Sequence, residues 1–168
     1  MANTLETINR MQADGVISLY VMGGSAAATF YIKPAVPLEA DIFVLFTSQA
    51  EGSVPSLAPV DEYLATSGTG AEGETLRIGN WPVKFFPVTN GLEREALDES
   101  LPGQVDGVKT WVMTAEHLVC MALRSENMAL VSQFLESNTV DREKLHHMLH
   151  RHNLGPQWHQ FTGTQPER

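Results

Sequence analysis

The stretch VISLYVMGGSAAATFYIKPAVPLEADIFVLF, Val16 to Phe46, decides the fold. Val16 to Met22 is a short, mostly apolar run that stops at a glycine pair, the pattern of a buried strand. Gly23 and Gly24 let the backbone turn sharply, and Ser25 is placed to cap a helix begun by Ala26, Ala27 and Ala28. Thirteen residues separate Ser25 from Glu39, where a second apolar run opens with acids at its start. On a strand, side chains at i and i+2 share a face, so Glu39 and Asp41 point together, about 7 Å apart along the chain. Two carboxylates on one face repel, by about 1–4 kcal/mol if they close to about 4 Å in wet surroundings. A divalent cation removes that penalty, and Mg²⁺ favours one or two carboxylates combined with substrate phosphates.

A chain of 168 residues is long enough to bury one real core, and 43% hydrophobic with 18% charged residues is an ordinary globular composition. The formal net charge of −9 and the absence of a basic stripe argue against a broad nucleic-acid surface, whose phosphates need clustered Lys and Arg. The longest apolar stretch is broken by Gly23, Gly24 and Ser25, so no membrane span is expected. The opening residues lack the pattern of a secretory signal, and the single cysteine, Cys120, has no partner for an internal disulfide; a cytoplasmic location is expected. Cys120 sits among apolar residues and is expected to be buried.

Outward from the deciding stretch, Asn3 and Glu6 have capping-box spacing ahead of a short first helix, and Asp14-Gly15 turns into the first strand. Residues Thr47 to Pro59 read as a loop, Leu57 to Ala65 as a helix, and Ser67 to Gly73 as a glycine-rich connection. Gly79-Asn80 suits a hairpin turn between Leu76–Ile78 and Val83–Phe85, with Pro82 at an edge or a strand start. An exposed edge at Gly79 to Val83 would offer a surface for a homodimer. Helices are expected over Glu93–Glu99, after a Thr114 cap, over Asn127–Ser137 and over Asp141–Arg151, with a strand at Val108–Met113 and regular structure ending at Gly155-Pro156. Trp158 and Phe161 are expected to pack the tail back onto the body.

The Gly-Gly-Ser turn, the spacer and the acidic–apolar–acidic–apolar tetrad resemble the signature of the nucleotidyltransferase superfamily, the polymerase-beta-like fold. EADIFVLF, LRIGNWPVKFFPV and WVMTAEHLVCMAL, in this order, resemble the small stand-alone bacterial members akin to the abortive-infection toxin class. The resemblance implies an α+β fold: a mixed sheet with flanking helices over residues 1–113 and a small helical part over 114–168, one compact unit. It also implies a nucleoside triphosphate held near Gly23, Gly24 and Ser25, with Mg²⁺ on Glu39 and Asp41. Lys84 and Arg124 are the cations placed to add positive charge.

Two departures stand beside that resemblance. The later strand, WPVKFF, offers Lys84 where active transferases carry a third acid, and an ammonium cannot ligate Mg²⁺. Arg124 to Met128 replaces the Lys-Asp-Arg of the small relatives, leaving Arg124 as the nearby cation. Two functions therefore stay open: transfer of a nucleoside monophosphate to an acceptor hydroxyl, or an inactive fold kept for nucleotide sensing or contact with a partner protein. His146, His147, His150 and His152 invite a metal reading, but without Cys or a metalloprotease glutamate a solvated face is expected. His117, in an apolar helix, is expected to be packed.

Overall fold

In a computed structural model, residues 1–34, 38–47, 55–66, 71–72, 75–78 and 81–164 are described. The fold is α+β. In chain order the elements are α1 (Ala2–Ala13), β1 (Leu19–Gly23), α2 (Gly24–Ala28), β2 (Ala40–Leu45), α3 (Ala58–Thr66), β3 (Ala71–Glu72), β4 (Thr75–Ile78), β5 (Trp81–Pro87), α4 (Gly91–Asp98), β6 (Leu101–Val105), β7 (Val108–Val112), α5 (Ala115–Arg124), α6 (Met128–Glu136), α7 (Arg142–Arg151) and α8 (Gly155–Thr164). The strands form one mixed sheet in the order β3-β4-β5-β2-β1-β7-β6, with β2–β5 and β1–β7 parallel and the other pairs antiparallel.

The deciding stretch therefore lies at the centre of the sheet. Strand β1 runs into the glycine pair and returns as β2 beside it, so Gly23 faces Asp41 across one ladder and Asp41 faces Lys84 across the next. Residues directly opposite in a sheet share a face, which sets Asp41, Phe43, Lys84 and Phe86 on one side. Ile42, Val44, Val83, Tyr20, Met22 and Val112 point the other way into the core. Helix α1 buries Leu5, Ile8 and Met11, and bonds the sheet through Thr4 Oγ1 to the Ile78 carbonyl and Asn9 Nδ2 to the Lys109 carbonyl. Burying three such side chains is worth about 5–8 kcal/mol before chain entropy is counted.

Helices α5 to α8 form the C-terminal helical part, and the core runs on into them without a break. Thr114 caps α5, Asn127 caps α6 and Asp141 caps α7, each side chain accepting from a first-turn N–H. Tyr31 donates to the Met113 carbonyl at 2.7 Å and packs its ring near Phe134, tying the exit of α2 to α6. Trp158 and Phe161 lie side by side with tilted rings, and His146 of α7 meets Trp158 edge-on, so the tail does pack back.

Several expectations are corrected. The first strand starts at Leu19 rather than Val16, because residues 16–18 form the entry turn after Gly15. Asn3 lies inside α1, whose N-cap is Met1 with no side-chain cap, so the capping box does not form. Regular structure does not end at Gly155-Pro156: α8 begins there, with Pro156 in the first turn, where a missing N–H costs nothing. Among the described residues of the segment expected as an edge, Trp81 and Pro82 pair with Ile78 and Arg77 on one side, and Val83 pairs with Leu76 and with Ala40 across the other ladder, so Val83 is not at an edge. Pro82 does stand at a strand start, one residue before β2 pairing begins. The Gly79-Asn80 turn lies outside the described residues, as do residues 48–54, 67–70 and 73–74 of the expected loops.

Candidate functional site

The glycine pair brings α2 against the start of β2. Gly24 has φ +71°, the left-handed region that favours glycine, and a Cβ there would stand 2.9 Å from both Asp41 Oδ2 and the Glu39 carbonyl. Ser25 does not cap α2; the N-cap is Gly23, with no side-chain bond. The Ser25 hydroxyl instead accepts from the Glu39 N–H at 2.9 Å, and the Ala26 N–H donates to the Glu39 carbonyl at 3.1 Å. The turn thus clamps the backbone of Glu39, and the short helix and the acidic strand are held as one piece.

Glu39, just ahead of β2, and Asp41, within it, line the same cleft with Gly24 and Ser25. Lys84 does not line the cleft; it reaches over the rim, with Nζ 3.2 Å from Glu39 Oε1. Burial, and then the Glu39 charge, push the Asp41 carboxyl up from 3.8 to about 6, with Lys84 pulling the other way. Asp41 therefore holds a proton more tightly than an ordinary aspartate because a like charge stands beside it in a poorly solvated place.

The cleft has a volume of about 450 Å³ and lies between this face of the sheet and α5–α6. Phe43 and Phe86 stack 5.0 Å apart and give it an apolar wall. Its far end carries Arg124, Ser125, Asn127 and a third acid, Glu93. Glu93 lacks the strand signature of the other two acids, because it comes from the first turn of α4. The Asn90-Gly91-Leu92-Glu93 spacing could have signalled it: Asn90 caps the Glu93 N–H, and Glu93 Oε2 accepts from the Thr89 N–H at 2.8 Å. Its other oxygen accepts from Arg124 Nη2 at 3.0 Å. Both cations expected at the site are thus ion-paired, Lys84 to Glu39 and Arg124 to Glu93.

A second polar cluster lies between α4, α5 and the end of α7. Glu95 accepts from Arg151 through both oxygens, at 2.8 and 2.9 Å, and from the rings of His152 and His117. These donors hold its carboxyl down at about 2. His117 is fully buried, with Nδ1 2.7 Å from Thr114 Oγ1, and burial lowers its pKa. Glu95, Glu99 and His117 each bring one ligand atom within 4.8 Å of the others, close enough to hold a metal ion. The same groups already face Arg151 and, at Glu99, Lys144 at 3.4 Å. His146, His147 and His150 are exposed, whereas His152 turns inward to Glu95. Cys120 is buried, and burial pushes its thiol up to about 12.

No helix among the described residues is long and apolar enough to cross a membrane. Compared with known proteins, the chain matches no family model and no curated protein.

Proposed function

We propose that the cleft is the nucleotide site of a Mg²⁺-dependent nucleotidyltransferase, which moves a nucleoside monophosphate from a triphosphate to an acceptor hydroxyl. The observation that carries the proposal is the convergence of Glu39 and Asp41 on one cleft, with Gly24 in a left-handed turn directly against the Asp41 carboxylate. The donor set fits a hard cation. Two carboxylates lie together, and burial first, then the Glu39 charge, raise the Asp41 carboxyl to about 6.

Glu39 and Asp41 would hold the cation, and Gly23 to Ser25 would lie along the phosphates. When bound, Mg²⁺ supplies charge neutralisation along the polyphosphate and orients the phosphorus under attack. The chain's own residues do the rest. The Ser25 clamp fixes Glu39 through its backbone, and the absence of a side chain at Gly24 leaves Asp41 Oδ2 open to the cleft. Phe43 and Phe86 offer a flat apolar surface, while Lys84 and Arg124 bring positive charge to the rim and the far end.

A specific observation favours the alternative, an inactive fold used for nucleotide sensing or protein contact. The third acid in the cleft is committed to Thr89 and Arg124, so among the described residues no lining carboxylate besides the metal pair is left to take the acceptor's proton. Titration calorimetry with each of the four common nucleoside triphosphates, with and without Mg²⁺, tests both. Metal-dependent binding followed by nucleotide transfer supports the enzyme, and binding without transfer supports the sensor. If no triphosphate binds, the transferase and the nucleotide sensor both fail, and contact with a partner protein is the reading that stands.

A further inference from the structure

Lys84 stands where a bound cation would do its work. It is the register partner of Asp41 across the β2–β5 ladder, its side chain shares that face, and its ammonium lies 3.2 Å from Glu39 Oε1. Its charge opposes the repulsion between the two acids, which is the same service a divalent ion performs. An ammonium on a four-carbon stem is compact and mobile, and at 40% side-chain exposure it can leave without opening the core.

We propose that Lys84 is a tethered counter-cation at the Glu39–Asp41 site: a divalent ion binds by displacing its ammonium, and the displaced ammonium is re-paired only when a polyphosphate arrives with the metal. This inference rests on the reading of Glu39 and Asp41 as cation ligands. It makes Lys84 a selectivity device. Free metal must break the Lys84–Glu39 pair with nothing returned, whereas a metal–polyphosphate supplies new oxygens for the same ammonium. Arg124, already held by Glu93 at the far end of the cleft, is not placed to do this.

The test is Mn²⁺ binding to the intact chain, followed by electron paramagnetic resonance at about pH 8, well above the raised Asp41 value of about 6. Wild type, Lys84→Met and Lys84→Arg are compared, with and without inorganic tripolyphosphate, and melting curves establish that each variant folds. Lys84→Gln serves if the methionine variant does not. The expected result is Mn²⁺ binding that tightens about fivefold or more on removing the charge and stays near wild type in Lys84→Arg. Tripolyphosphate should then strengthen Mn²⁺ binding more in the wild type than in Lys84→Met. Wild type that binds Mn²⁺ with the same affinity as Lys84→Met overturns the counter-cation role and leaves the metal site standing. Absence of Mn²⁺ binding in every form, with or without tripolyphosphate, overturns the metal reading and the role of Lys84 with it.

Discussion

Gly24 is pressed against Asp41: a methyl group on its α-carbon would lie 2.9 Å from the aspartate Oδ2. The contact joins the turn after β1 to the acid on β2, and it forces glycine at 24 twice over, by backbone conformation and by space. Gly24→Ala should cost about 2–3 kcal/mol, made of the left-handed penalty and a clash that must push Asp41 or the Glu39 carbonyl aside. Gly15→Ala is the control. Its φ is +77° with nothing within 4 Å, so it carries the conformational part alone. Chemical denaturation should rank Gly24→Ala below Gly15→Ala; equal losses would mean that the close approach carries no energy.

Asp41 makes a second prediction, in pH. Its folded-state carboxyl is raised to about 6 against 3.8, so between those values the folded chain binds more protons than the unfolded one. The stability this confers is complete below pH 3.8 and is lost as pH rises through about 6. Asp41→Asn should therefore stabilise the metal-free protein by about 1–2 kcal/mol at pH near 8, a few degrees in Tm, and change little near pH 4. A large loss of stability at neutral pH would instead mark Asp41 as a structural residue.

Glu95 behaves in the opposite sense. Arg151 and His152 hold its carboxyl at about 2 against 4.5, so its contribution is present above pH 4.5 and disappears as pH falls towards 2. The Arg151 side chain is half exposed, which screens the pair, and the loss is set at about 1–3 kcal/mol. Acid titration of stability in wild type and Glu95→Gln should give curves that differ at neutral pH and converge near pH 2. Parallel curves across that window would contradict the role given to this node.

The central hairpin was legible because its signals are local. An apolar run ends at Gly23-Gly24, and the tetrad starting at Glu39 has a period of two. The Thr114 cap and the helix starts at Asn127 and Asp141 were legible for the same reason. Strand β6 was not, because Pro102 and Gly103 read as breakers; it is an edge strand, paired among the described residues with β7 alone, where proline is tolerated. The Asp106-Gly107 turn, with both residues at positive φ, was the available hairpin signal. Pro156 misled in the same way, since the first turn of a helix accepts it. The Glu95 node had no sequence signature. Its partners lie 22, 56 and 57 residues away, and only the packing of α4, α5 and α7 brings them together. Glu93 was not legible as a lining acid because it comes from the first turn of a helix rather than from a strand.

The claim that Asp41 holds a cation for a triphosphate is tested most directly by melting curves of wild type and Asp41→Asn, each alone, with Mg²⁺, and with Mg²⁺ plus each nucleoside triphosphate. Asparagine keeps the shape and one acceptor but removes the charge that binds the ion. The account predicts a rise in wild-type Tm of several degrees with Mg²⁺ and one of the triphosphates, corresponding to about 2–3 kcal/mol at ligand near a hundred times Kd, and no such rise in Asp41→Asn. A wild type that does not respond to any triphosphate, or a mutant that responds as well as the wild type, would contradict it.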